Sequence, residues 1–573
     1  MNVYLAPPDF AAYYSYPRSV FKDLDLDLLN EYEHFEFQRH MLYLTSEGYV
    51  SNDWPMGTGV LWSPFFLMGE AAARVTGADA DGYSSPYLVM TAAGILFFVG
   101  CGLLAAFSFI EKIYDSKLAF ITVLLGFIGT PLLFYTFYGG MMSHATGFFV
   151  VTLFFITWAS TLKERRIVHW ILLGLLAGLM TSVRPQHLAS LVVFPVEIIF
   201  KMKDGAFKGN SRYKKDYLRG VLFSGAAFII AMGPQLMFWS RIYGSPFHLP
   251  KLEEMHWFRP ALWETLFSDY HGLLLWTPLV LPGSFGLLFL GKKRPVLAWG
   301  LGACLVIQLY INSANEVWWA GGSFSNRRFT EYGFIFMIGL AALLRERRFR
   351  IWIIPAVLFA LWPLLLVMAE RSGKLTLAHY VPWNNQFFGM LPSVISFDTL
   401  KSMTGNFGGT GILGRILAVL FTGSLLFLAW LFFVKRNDYA RHKQRFVMVF
   451  VILSMIMNVI VMHASFRTDP VPEEWRDNIY RENRFLWENY YEYGFYLLVK
   501  GRLDDAKSAY LKARELLPHR PQPARYIGAI YEEQENFEAA EKFYREALTL
   551  APDYESAKRA LEMLQMEKAM RGL

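Results

Sequence analysis

Twelve long apolar stretches run from about Tyr87 to Ala464, and Lys and Arg fill every second connection between them. The basic connections hold Lys112/Lys117, Lys163/Arg165/Arg166, Lys201 to Arg219, Lys292/Lys293/Arg294, Arg345 to Arg350, and Lys435 to Arg445. The others are short and poor in Lys and Arg, or long and mixed in charge. Cationic loops stay cytoplasmic, so the alternation orients the whole chain. An even number of spans returns the chain to the side where it began. Residues 1–85 and the polar tail after His463 are therefore expected to share one extracytoplasmic face.

The spans read as 87–109, 118–138, 145–162, 167–183, 186–201, 219–240, 271–290, 295–314, 331–344, 351–369, 412–434 and 446–464. Several fall short of the ~20 residues that a perpendicular helix needs. Polar residues interrupt two of them, around Thr181–His187 and Gly321–Leu344. Val60–Gly77 starts apolar but carries Glu70 and Arg74, and reads as a helix lying in the outer interface. With 54% hydrophobic, 17% aromatic and 18% charged residues, the 573-residue chain has a membrane composition. The expected fold is all-α: a polytopic bundle over 86–465, an extracytoplasmic acidic and aromatic region over 1–85, a linker over 466–485 and a small α-solenoid over 486–573.

The net charge of +7 sits mostly in the cytoplasmic connections, where it sets topology and meets anionic headgroups. Residues 1–85 carry twelve Asp/Glu against four Lys/Arg, so they offer nucleic acid no basic face. Cys101 and Cys304 both fall in apolar spans, which excludes a disulfide framework and a thiolate metal site. An acidic N-terminus must cross the membrane with no signal peptide or span ahead of it. The expectation is that a native first helix is missing.

Residues 486–565 repeat with a period of 34: Gly494/Gly528, Ala506/Ala540, Tyr510/Tyr544, Ala513/Ala547, Leu516/Leu550 and Pro518/Pro552. Small residues where paired helices touch, with Pro closing each unit, resemble tetratricopeptide repeats. Two repeats and a capping helix over Tyr554–Met570 are expected, either as a stabilising appendage or as a dock for a protein or peptide. Residues Trp475–Trp487 link or help cap them.

The N-terminal region reads Pro7-Pro8-Asp9-Phe10, then Tyr13-Tyr14-Ser15-Tyr16, an Asp23/Asp25/Asp27 alternation, and Asn52-Asp53-Trp54-Pro55-Met56-Gly57. A carboxylate at a membrane surface, walled by aromatic rings, is expected to have a raised pKa and to serve as a base. The alternative is a solvated acidic loop with an aromatic belt. Further along stand Met142-Ser143-His144, Ser182-Val183-Arg184-Pro185, Tyr243-Gly244-Ser245-Pro246, Ser268-Asp269-Tyr270-His271-Gly272, Trp276-Thr277-Pro278, and Trp318-Trp319-Ala320-Gly321-Gly322 followed by Arg327-Arg328.

An acidic residue opening the first outer loop, a Tyr-rich helix after it, and these motifs in this order resemble the GT-C membrane glycosyltransferases. Among them are the protein mannosyltransferases and the lipid A aminoarabinose transferase. The resemblance covers about residues 1–345. It implies a transferase that moves a sugar from a polyprenyl-phosphate donor to an acceptor hydroxyl with inversion, Asp9 matching the family's base. Asp53 precedes the Pro-x-Gly turn as a second carboxylate. No Lys stands at that turn, a departure that argues against aminoarabinose as the sugar.

A departing phosphate needs positive charge at the same centre as the base, so Asp9 is expected within a few ångströms of Arg327 or Arg328. Arg327 and Arg328 follow a Gly-Gly turn against the positive-inside trend, and guanidinium grips phosphate in a bidentate fork. Arg184, close to His187, stands at an outer span end. Either set also suits headgroup snorkelling. His144 and His271 either donate to phosphate or cap helices, and Glu197 reads as a partner for Lys201 or Lys203. No tight His/Cys spacing exists, so a divalent cation stays open as cofactor.

A transporter or flippase would place charge at mid-membrane on broken helices in two related halves. A scaffold would need only one or two anchors. An outer-face enzyme using a polyprenyl carrier, with membrane lipid around it and an extracytoplasmic repeat unit, suggests a bacterial inner membrane. The topology is testable with cysteines at Asn536 and Lys214 and an impermeant maleimide on intact cells. Asn536→Cys should label and Lys214→Cys should not; the reverse pattern inverts the topology.

Overall fold

The computed structural model describes residues 8–35, 45–139, 141–206, 211–248, 254–346, 351–371, 375, 484–499 and 501–571. Among these every regular element is helical, and extended pairing is confined to one antiparallel bridge between Met255 and Asn315. The expected spans 412–434 and 446–464, nearly all of the linker 466–485, and any helix ahead of Pro8 lie outside the described residues.

Helices α1 (Pro8–Arg18), α2 (Leu29–His34) and α3 (Gly57–Thr76) build the N-terminal part. It is no solvated loop. Ala11, Ala12, Tyr14 and Tyr16 of α1 are buried, and α1 packs on α3. Three long-range bonds hold it: Tyr14 OH donates to Gly82 O (2.6 Å), Tyr16 OH to Trp54 O (2.7 Å), and Asn52 Nδ2 to Ala12 O (3.1 Å).

The bundle follows as α4 (Ser85–Ile113), α5 (Ser116–Gly129), α6 (Leu132–Phe137), α7 (Ser143–Ser160), α8 (Ile167–Val183), α9 (Val193–Lys203) and α10 (Ser211–Tyr243). Then come α11 (Leu262–Phe267), α12 (Leu273–Trp276), α13 (Val280–Gly291), α14 (Pro295–Ala314), α15 (Gly333–Arg345) and α16 (Ile353–Arg371). Asp115 ends the α4–α5 turn by accepting from Leu118 N at 2.9 Å, a side-chain N-cap.

Five of these helices, α4, α7, α10, α14 and α16, are long and apolar enough to cross a membrane. Helices α5, α8 and α13 are apolar but shorter. Several stretches expected as single spans are broken, mostly at proline. Pro131 parts α5 from α6 within 118–138, and Thr277-Pro278 parts α12 from α13 within 271–290. Pro185 ends α8 and starts a 3-10 turn over Pro185–Val192, so 186–201 is not one α-helix. Proline lacks the N–H and disfavours helical geometry in the residue before it. The stretch 331–344 becomes a 3-10 turn, Arg327–Tyr332, leading into α15.

Position in the bundle follows from how the apolar surface is distributed. Helix α7 is apolar all round and 89% of its core window is buried, so it is the central helix. Helix α10, at 33%, lies on the outside. Small residues bring backbones together, as membrane packing favours. A Cβ on Gly174 of α8 would sit 2.1 Å from Ser224 O of α10, and one on Gly286 of α13 would sit 1.8 Å from Gly339 O of α15.

The C-terminal part is α17 (Arg484–Val499), α18 (Leu503–Leu516), α19 (Pro521–Glu533), α20 (Phe537–Leu550) and α21 (Glu555–Arg571), each packed on the next. Gly494 of α17 faces the Tyr510 ring, and Gly528 of α19 faces the Tyr544 ring. The same Gly–Tyr contact thus recurs at the repeat period read in the sequence.

Gly286→Ala should overpack α13 against α15 and cost about 1–3 kcal/mol, lowering the melting temperature in detergent. Gly302→Ala, where nothing lies within 4 Å of the added carbon, is the control and should not destabilise. Equal melting of both variants would show that the α13–α15 approach does not limit stability.

Candidate active site

Asp9 lies in the first turn of α1, where the helix dipole favours negative charge. Its Oδ1 accepts from Trp54 Nε1 at 2.7 Å, and its Oδ2 lies 3.4 Å from Arg327 Nη1. Arg327 opens the 3-10 turn before α15, 318 positions away in sequence. Both side chains keep some exposure, 22% for Asp9 and 14% for Arg327.

One turn further along α1, Tyr13 OH donates to Ser143 Oγ at 3.1 Å, at the start of α7. The next residue, His144, is buried and clamped from both sides. Its Nε2 lies 3.2 Å from Arg184 Nη1, and its Nδ1 lies 2.9 Å from Glu331 Oε1. A guanidinium only donates, so Nε2 must accept and Nδ1 must carry the proton toward Glu331. The imidazole is thereby held neutral in a single tautomer. Arg184 Nη1 also donates to Ser143 Oγ (3.3 Å).

Glu331 is the centre of this arrangement. Besides His144, its Oε1 lies 3.8 Å from Arg184 Nε and 3.7 Å from His187 Nε2, while His187 Nδ1 meets Tyr332 OH at 3.0 Å. Sequence reading missed Glu331 because it opens a stretch assigned to a span. The signal was available: a carboxylate at the edge of an apolar run seldom lacks a partner or a function.

Asp53 sits on a flank beside Trp54. Its Oδ1 accepts from Tyr243 OH (3.1 Å) and lies 3.2 Å from His248 Nε2. Arg328 is buried next to Arg327. His271 is buried below the Trp319 loop, with Nδ1 donating to Trp319 O at 3.1 Å and its ring facing Tyr270 and Trp276. Glu197 binds Lys201 (3.2 Å), as read from the sequence, and also Arg165 and the Trp158 indole.

The loop carrying Arg327 is bent through left-handed backbone at Ala320 (φ 65°), Gly321 (φ 71°) and Ser325 (φ 55°). Such conformations cost energy in non-glycine residues and persist only where surroundings impose them. Here Tyr135 OH accepts from Phe324 N (3.0 Å), and Asn326 Nδ2 donates to Trp318 O (2.9 Å). From the far side, Tyr493 of α17 stacks on Trp319 at 4.3 Å, and Tyr490 OH donates to Glu316. The C-terminal helices therefore rest on the same loop that presents Arg327. Beside that contact Glu254, His256 and Glu316 bring ligand atoms within 4.8 Å of one another, a group of described residues that could hold a divalent cation.

The electrostatics of Asp9 differ from expectation. Burial raises its pKa, but Arg327, the Trp54 indole and Arg184 together lower it by more, leaving it below the ordinary carboxylate value. The expected aromatic neighbour is there in Trp54, but guanidinium groups from Arg327 and Arg184 act on the carboxylate as well. Tyr13, by contrast, is pushed up to about 12, chiefly by burial, and stays a neutral hydroxyl. Comparison with known protein families, with curated proteins and with solved structures finds no match to this chain.

A lowered carboxylate stabilises the fold above its unfolded pKa and loses that contribution as pH falls through the folded value. Wild type should therefore lose melting temperature below about pH 4, and Asp9→Asn should lose less over that range, the remainder coming from other paired carboxylates such as Glu70. In Arg327→Gln the raising effect of burial is less opposed, so the midpoint should move to higher pH. Superimposable wild-type and Asp9→Asn curves would show that Asp9 carries no such linkage.

Proposed function

We propose that this chain is an integral-membrane glycosyltransferase that moves a sugar from a polyprenyl-phosphate donor to an acceptor hydroxyl on the outer face of the membrane, with inversion. The observation that carries this reading is the pairing of Asp9 with Arg327 in one partly open site. A base for the acceptor and a cation for the leaving phosphate must meet at one centre. The twelve-span topology, the bacterial inner membrane, and the tetratricopeptide character of α17–α21 belong to the same proposal. The recurring Gly–Tyr contact supports the last of these.

In the reaction the acceptor oxygen attacks the anomeric carbon while Asp9 takes its proton. The bond from that carbon to the phosphate oxygen breaks, and the electron pair leaves on polyprenyl phosphate. Arg327, with Arg184 behind it, receives the growing charge. The resting pair with Arg327 keeps Asp9 weakly basic. A donor phosphate that engages Arg327 withdraws that compensation, and burial then raises the carboxylate toward the range of a useful base. Donor binding would thus switch on the base. Glu331 holds His144 and Arg184 in place and does not touch the reacting atoms.

Lipid that co-purifies with the protein should contain a polyprenyl-phosphate sugar by mass spectrometry. Asp9→Asn should retain that lipid but lose about 100-fold or more in its turnover, whereas Arg327→Gln should retain less lipid. Turnover by Asp9→Asn at the wild-type rate would refute Asp9 as the base, whereas no turnover by the wild type would leave a scaffold or a transporter as the reading.

A further inference from the structure

A second charged cavity lies among the ends of four bundle helices. It occupies about 560 Å³ between the C-terminal ends of α4 and α7 and the N-terminal ends of α8 and α14. That volume is within the ~300–1,000 Å³ usual for small-molecule sites. Its rim carries Lys112, Lys163, Lys293 and Arg294, and Phe109, Leu172 and Leu297 line it with apolar surface. One acidic side chain, Glu164, lines it too, but that carboxylate is paired with Arg166 at 3.5 Å. Lys163, Lys293 and Arg294 are exposed and form no ion pair with any of the described residues.

Three of the four helices meeting here, α4, α7 and α14, are long and apolar enough to cross a membrane, and all three start or stop at the cavity. In a bilayer the cavity would therefore stand at headgroup depth. An occupant at that depth meets excess positive charge at the rim and hydrocarbon in the wall. An anion with an apolar tail satisfies both. Arg294 offers a fork for two phosphate oxygens, and the lysines offer point charges around it. The basic connections involved belong to the set assigned to the cytoplasmic side, where the leaflet is anionic.

We infer that this cavity binds the headgroup of an anionic phospholipid, with the phosphodiester between Arg294, Lys293 and Lys163 and an acyl chain along Phe109 and Leu297. The inference does not depend on the transferase reading; it needs only that the apolar helices lie in a bilayer. Its weight rests on the uncompensated charge and on the apolar wall together, since topology-setting lysines alone would not need a cavity.

The full chain is purified in neutral detergent and probed by native mass spectrometry with phosphatidylglycerol, phosphatidylcholine and inorganic phosphate in separate arms. Wild type should retain one phosphatidylglycerol at least tenfold better than phosphatidylcholine, and inorganic phosphate should not displace it. Lys293→Gln with Arg294→Gln should weaken retention roughly tenfold or more. Arg212→Gln with Lys214→Gln, which removes two exposed cations away from the cavity, should leave it unchanged. Equal retention of the two lipids, or equal loss in both double variants, overturns the site. Full displacement by inorganic phosphate overturns the lipid and makes free phosphate the ligand.

Discussion

Glu331 is a carboxylate buried where helices meet, and an isolated charge there would cost several kcal/mol. Its compensation comes from three places: His144 at the start of α7, Arg184 at the end of α8, and His187 in the turn that follows. Each is drawn to one point by the need to satisfy that charge. The central helix, the broken connection after α8 and the strained loop before α15 are thereby tied together. Residues 144, 184, 187 and 331 act as a unit, and the position of Arg327, four residues ahead of Glu331, follows from it.

With the loop held from below, Asp9 can meet Arg327 from above. The N-terminal part reaches the bundle through ordinary forces: aromatic burial along α1, and hydroxyl and amide bonds from Tyr14, Tyr16 and Asn52. These deliver one carboxylate to the Arg327 loop and leave the pair partly open. A structural ion pair would have reason to be sealed, whereas openness on one side suits a group that must exchange partners. That is the physical content of the proposed switch. In that proposal the resting partner of Asp9 is the group that the leaving phosphate would claim.

The same loop is touched from its other side by Tyr490 and Tyr493 of α17. Large flat rings give broad contact with few rotatable bonds, so such a stack is stiff. The stack sets α17 directly against Trp319, on the loop that also carries Arg327.

Local patterns in the sequence determined much of the molecule. Long apolar runs determined helices, because a segment buried away from water must bond its own backbone. The period of 34 determined which glycines face which tyrosines in the C-terminal part, since small residues recur wherever large rings pack. His144, Arg184 and Arg327 were legible as candidates because polar and charged groups at the ends of apolar runs stand out, and Asp9 as an acid set among aromatic rings. Proline breaks were present in the letters too, but their effect on Leu132–Phe137 and Pro185–Val192 was legible only once the flanking helices were in place. The meeting of Asp9 with one of the two arginines was expected from the sequence, and tertiary structure decided that it is Arg327. Tertiary structure alone set Asp53 against Tyr243 and His248, put His271 beneath Trp319, and revealed Glu331 as the common partner. It also reversed the expected electrostatics of Asp9. A carboxylate's pKa depends on charges a few ångströms away in space, and here the nearest of them is 318 residues away along the chain.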